Sequence, residues 1–143
     1  MPPQINQKET NGSRTVGNLF PHENQKVYQL GIEWVVMVEQ FVDLPQKRKG
    51  LSEQLDKIAN SIPIHIVDAT GKSNASDRVK SIEMAKGAVL ACAAVLDMMV
   101  ARNVLEPGDA IAGKRHLSQM ARLLSGMIQS ANTHEMIRNR ITA

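Results

Sequence analysis

The sequence predicts an all-α protein, an up-down-up-down antiparallel four-helix bundle. Three observations carry this reading. Apolar residues recur at spacings of three and four along four separate stretches, the period of one helix face. Short breaks containing Pro or Gly separate the stretches, and short connections make consecutive helices antiparallel neighbours. Nowhere do β-branched and polar residues alternate as a half-buried strand requires. The length of 143 residues fits one domain, which buries about 68–70% of its unfolded surface around a single core. Aromatics are only 3% of the chain (Phe20, Tyr28, Trp34 and Phe41), so that core is aliphatic and draws on eight Met as well as Leu, Ile, Val and Ala.

Residues 1–21 read as a flexible N-terminal tail, polar and without a period, in which Leu19 and Phe20 are the apolar anchors. The same tail would also serve as an arm on a neighbouring subunit. The bundle is expected over 22–143. Its first helix runs from about His22 to Asp43, with Val27, Leu30, Trp34, Val38 and Phe41 on one face. Leu44-Pro45 ends it, because a residue before proline disfavours the helical region.

The second helix spans about Lys47 to Thr70, with Leu51, Leu55, Ile58, Ile62, Ile66 and Ala69 on one face and Gly71 as its stop. Pro63 lies inside it. An interior proline removes a backbone hydrogen bond and crowds the carbonyl four residues back, at about 3 kcal/mol. A chain that carries this cost is expected to use the kink, which is assigned to Ser61 and Pro63.

Ser73 or Ser76 is a candidate cap for the third helix, which continues to about Val104. Its seam is Ile82, Ala85, Val89, Cys92, Leu96 and Met99, in heptad steps. Beside it runs a second apolar stripe of Met84, Ala88, Ala91, Val95 and Met98, a width that implies apolar neighbours on more than one side. Gly87 is expected to permit close helix packing. After Pro107-Gly108-Asp109, the fourth helix runs from about Asp109 to Ala131 with Leu117, Met120, Leu124, Met127 and Ala131 as its seam. Residues 132–143 either extend it or fray.

Composition limits the function. Cys92 is the only cysteine, so no internal disulfide can form, and its seam position makes it a small buried hydrophobe. The N-terminus lacks the charged and apolar regions of a signal peptide. The apolar run nearest to a membrane span, Ala88 to Val100, is interrupted by Asp97 and falls short of about 20 residues. A soluble cytoplasmic protein with no membrane partner is expected. Bundles that hold two metals use Glu-x-x-His pairs, and this sequence has none. His65 with Asp68 is a lone pair, and His22, His116 and His134 lack ligand spacing. No phosphate loop and no catalytic pairing is present. No metal, cofactor or enzymatic activity is expected.

The net charge is +3 and the pI about 9.2, only mildly basic. The distribution is more telling. From Ala110 to Ala143 stand Lys114, Arg115, Arg122, Arg138 and Arg140 against the single acid Glu135, whereas Asn24 to Asp43 holds Lys26 against Glu33, Glu39 and Asp43. Two basic clusters result: Lys47, Arg48 and Lys49, and Lys114, Arg115 and Arg122. Each alone fits a solvated surface. Together, and repeated in an oligomer, they fit phosphate-driven, sequence-tolerant binding of RNA or DNA.

The segment Gly50-Leu51-Ser52, Gln54-Leu55, Ala59, Ser61-Ile62-Pro63 and Ile66 resembles the second helix of the S23, or 23S rRNA intervening-sequence, protein family. Val27-Tyr28-Gln29-Leu30 resembles that family's helix-one opening, Ala85-Lys86-Gly87-Ala88 its helix three and Ala101-Arg102-Asn103-Val104-Leu105 its helix-three exit, a likeness spanning about residues 20–130. His65, Val67, Asp68, Ala69 and Ala91 depart from the family pattern, as in a divergent member. The resemblance implies a left-handed bundle with a kinked second helix and a cyclic homopentamer. It also implies kinship with accessory proteins of diversity-generating retroelements, basic barrels that bind a reverse transcriptase and nucleic acid. The reading that results is a non-enzymatic homo-oligomer that binds RNA, DNA or a nucleic-acid enzyme through its basic clusters. The alternative is a protein-interaction scaffold that uses the second stripe of helix three or the tail.

Overall fold

The computed structural model describes residues 19–42 and 49–142. It contains four α-helices: α1 (Lys26–Val42), α2 (Lys49–Gly71), α3 (Ala75–Ala101) and α4 (Pro107–Thr142). A 3-10 turn, Pro21–Asn24, precedes α1. Each helix packs on its neighbours in sequence, and α1 closes the ring against α4. Phe41 lies beside Gly113 while Gly31 lies beside Met120, so α1 and α4 run antiparallel. The all-α four-helix bundle is therefore the architecture.

Every residue of the α1 seam is buried, as is every residue of the α3 seam. In α2 the buried row is Leu51, Leu55, Ala59, Ile62, Ile66 and Ala69, with Ile58 at its half-buried edge. In α4 it is Ala110, Leu117, Met120 and Leu124. Trp34 sits at the centre, fully enclosed, 6.1 Å from the Phe41 ring and 6.0 Å from the His116 ring. His116 is fixed there by a 2.8 Å hydrogen bond between Nε2 and the Leu30 carbonyl, which ties α4 to α1.

The helix ends differ from expectation in instructive ways. Asn74, not Ser73 or Ser76, caps α3: its Oδ1 accepts the Asp77 N–H at 2.8 Å, and Asn serves this position as well as Ser. α3 stops at Ala101, short of Val104, because Asn103 turns left-handed at φ 57. The Val104 and Leu105 N–H groups then both reach the Met99 carbonyl. The stretch from His22 begins as the 3-10 turn, and α1 proper starts at Lys26. α4 opens with Pro107, whose fixed φ suits a first helical position, and continues to Thr142 without fraying at Ala131. The expected stop at Leu44-Pro45 and the tail up to residue 18 lie outside the described residues.

α2 passes through Pro63 without a break in the helix. Pro63 is buried against Gly31 of α1, where a Cβ would lie 3.7 Å from the proline Cβ. Ser61 Oγ donates to the Ile58 carbonyl at 2.6 Å in the turn before the proline. The expected packing role of Gly87 is not found: it is exposed, with no atom within 4 Å of where a Cβ would stand. The close approach belongs to Gly113, where a Cβ would meet Leu96 Cδ1 at 2.9 Å.

Candidate nucleic-acid interface

Of the first basic cluster, Lys47 and Arg48 lie outside the described residues, and Lys49 is exposed at the start of α2. The second cluster divides. Lys114 Nζ pairs with Asp97 Oδ1 of α3 at 2.7 Å, which neutralises it locally. Arg115 and Arg122 are exposed, seven residues apart, and so share a face of α4. Arg140 extends that face: eighteen residues beyond Arg122, it falls within about 20° of Arg115 at 100° per residue. Gln119, Gly126, Gln129 and Thr133 lie between them, all exposed. The acids of α4, Asp109 and Glu135, stand about 120° or more away around the helix. The result is an acid-free arginine ridge about 37 Å long. Arg115 and Arg122 are about 10 Å apart along the axis, three phosphate steps of one strand. The sequence places Arg140 in the basic quarter but not on this ridge, because whether residues 132–143 extend the fourth helix or fray is left open there.

A groove of about 900 Å³ opens beside the ridge. Ala75, Arg78 and Ile82 of α3 form one wall, and α4 from Arg122 to Ile141 forms the other. No residue of α1 or α2 lines it. Its cause is a difference in helix length. The α4 face that holds α1 carries His116, bonded to Leu30, and Met120, beside Gly31. α1 begins at Lys26, little more than one turn beyond these contacts, whereas α4 runs on past Met120 for six more turns. Leu123, Met127, Ser130, His134, Ile137 and Ile141 continue that face with no α1 opposite. Ile137 is 52% and Ile141 78% exposed. Arg78 is steadied at the rim by long hydrogen bonds from Nη1 to the Lys72 and Ser73 carbonyls, 3.4 and 3.3 Å.

The outer side of α3 is a third open surface. Val95 of its second stripe is buried in the core, but Met84 and Met98 are exposed on one face; Leu90, also exposed, lies about 120° from Met84 around the helix. α3 is long and apolar enough to cross a membrane, and its buried seam together with this outer stripe accounts for that apolarity.

The chemistry of nucleophiles is muted. Burial pushes the Cys92 thiol from its ordinary 9.0 up to about 11, opposed by a smaller pull from the Trp34 side chain. The indole N–H meets the geometry of no hydrogen bond and so offsets burial only in part. Below pH 9 the thiol is protonated in both the folded and the unfolded chain. Above it the unfolded thiol ionises first, so stability falls towards pH 11 by up to about 1.4 kcal/mol per unit. Denaturation midpoints at pH 8 and pH 10 should therefore differ more in the natural protein than in Cys92→Ala. His65 is half-buried on α2, and among the described residues no three of His, Cys, Asp and Glu gather as metal ligands.

Two comparisons place the chain among known proteins. The model of the family described as 23S rRNA-intervening sequence protein matches residues 23–126. A crystal structure of a protein of unknown function from the S23 ribosomal protein family of Bacteroides thetaiotaomicron superposes with a TM-score of 0.67 at 17% identity, covering 71% of this chain and 97% of that one. At that identity the likeness concerns the fold. No curated protein matches this sequence.

Proposed function

Because the chain belongs to the 23S rRNA-intervening sequence protein family, we propose that it is a non-enzymatic, homo-oligomeric accessory module of the cytoplasm that binds the backbone of RNA or DNA. The observation that carries this reading is the acid-free arginine ridge of α4, Arg115, Arg122 and Arg140. Guanidinium groups hold phosphates through paired donors, and no acid of α4 stands on the ridge to compete for them. With few aromatics there is little to stack on bases, so recognition rests on charge and tolerates sequence. The exposed Met84 and Met98, on one face of α3, support assembly of copies, and assembly would repeat the ridge and multiply a weak contact. By family resemblance the ring would be a pentamer, with an enzyme of nucleic-acid synthesis such as a reverse transcriptase as a fitting partner.

The test is the salt dependence of binding to mixed-sequence RNA and DNA oligonucleotides. Arg115→Glu/Arg122→Glu/Arg140→Glu is expected to flatten the slope of log affinity against log salt by about 2–3 per copy, with an unchanged helical melt. The natural slope retained in that variant would overturn the ridge.

The α3 stripe also favours a second reading, a protein-interaction scaffold without a nucleic-acid role. A defined partner held at high salt and released by Met84→Asp/Met98→Asp would favour it.

A further inference from the structure

The arginine ridge of α4 is straight as well as free of acids. α4 runs unbroken from Pro107 to Thr142, and its only proline stands at the first position, so no proline kinks it. Its buried residues Leu117, Met120 and Leu124 lie about 140–200° around the helix from Arg115, which turns the ridge away from the core. Arg122 and Arg140 both stand about 20° from Arg115, on the same side of it. Along the axis Arg122 is about 10 Å from Arg115, and Arg140 is about 27 Å beyond Arg122. Between Arg122 and Arg140 the ridge holds Gly126, Gln129 and Thr133 and no charge.

We infer that the ligand of the ridge is duplex DNA lying parallel to α4. A line drawn along a B-form duplex meets each strand once per turn, every 34–36 Å or so. The minor and major grooves, about 6 and 12 Å wide, divide that turn into intervals of about 12 and 23 Å. The ridge has the same pattern: a short interval, a long one, and about 37 Å from end to end. Arg115 and Arg122 take the two strands that border the minor groove. Arg140 reaches past the major groove to the first strand again, and an arginine side chain is long enough to absorb the differences of a few Å. One strand of the duplex does not serve both Arg115 and Arg122, because over three steps it winds about 105° away from the ridge. A duplex laid across the helix would leave Arg140 about 27 Å from its nearest partner on the ridge. A free single strand lacks two things here. α4 has no aromatic residue on which bases could stack, and the uncharged gap would leave its phosphates unneutralised. An RNA duplex is A-form, with a deep, narrow major groove, so its strands cross the ridge at other intervals.

This inference rests on the reading of the ridge as a phosphate-binding surface, and it names the nucleic acid that the ridge takes. The test moves one arginine out of register without changing the charge. Arg140→Gln/Gln129→Arg keeps three guanidinium groups on the outer face of α4, but sets the third about 21 Å from Arg115, over the major groove, where neither strand passes. Fluorescence anisotropy of the full chain follows affinity against salt for a DNA duplex of about two turns, ~20 bp, for one of its single strands and for the RNA duplex of the same sequence. On the DNA duplex, the slope of log affinity against log salt is expected to be about 2.7 per copy for the natural protein. It should fall to about 1.8 both for Arg140→Gln and for the relocated variant. On the flexible single strand, the relocated variant should match the natural protein, which shows that the substitutions leave the fold and the charge intact. A relocated variant with the natural slope on the DNA duplex overturns the duplex assignment. So does a natural protein that holds the single strand or the RNA duplex as tightly as the DNA duplex. Either result leaves the phosphate-binding ridge standing. A natural protein that binds none of the three probes overturns both.

Discussion

Replacing Trp34 with alanine is expected to lower the stability of the bundle by about 3–5 kcal/mol, enough to unfold many domains of this size. Trp34 is fully enclosed and meets three of the elements that close the bundle: Phe41 on its own helix, His116 and Gly113 on α4, and Cys92 on α3. Truncation would leave a cavity that these rigid neighbours cannot collapse into. It would also remove the ring that His116 stacks on while holding the Leu30 carbonyl. Trp34 is the only tryptophan, so its fluorescence disappears with it, and denaturant titration followed by circular dichroism is the measurement. Trp34→Phe keeps most of the volume and should cost clearly less. Equal losses for the two variants would contradict the assignment of this ring as the packing centre.

Gly113→Val should cost about 1–3 kcal/mol by overpacking. A Cβ at this position already meets Leu96 Cδ1 at 2.9 Å and both Phe41 Cζ and Trp34 Cη2 at 3.4 Å. Leu96 and Trp34 are fully buried, so neither can swing into solvent. Gly87→Ala is the counterpart with the opposite sign. Its Cβ meets nothing, and replacing a mid-helix glycine there should raise stability by about 0.5–1 kcal/mol. Denaturation midpoints measured side by side check both signs.

These two glycines show what the sequence could and could not reveal. The seams of all four helices were legible because burial of one helix face follows a local period, and Val27 to Phe41 and Ile82 to Met99 pack as that period predicts. Which glycine receives a neighbouring helix is a matter of register between helices, and no local signal carries it. The pairing of Lys114 with Asp97, seventeen residues away, was hidden for the same reason. Asn74 was overlooked as a cap because two serines flank it and all three residues suit the position. Arg140 joined Arg115 and Arg122 only once α4 proved continuous past Ala131. The groove required knowing where α1 starts relative to α4, a difference between helix lengths that no single stretch of sequence contains.

The most direct test of the central proposal is native mass spectrometry of the protein purified without nuclease, at low and then at high salt. The account predicts a discrete oligomer that carries additional nucleic-acid mass at low salt and sheds it at high salt, with Arg115→Glu/Arg122→Glu/Arg140→Glu giving the same oligomer bare at both. A bare monomer at low salt would contradict it.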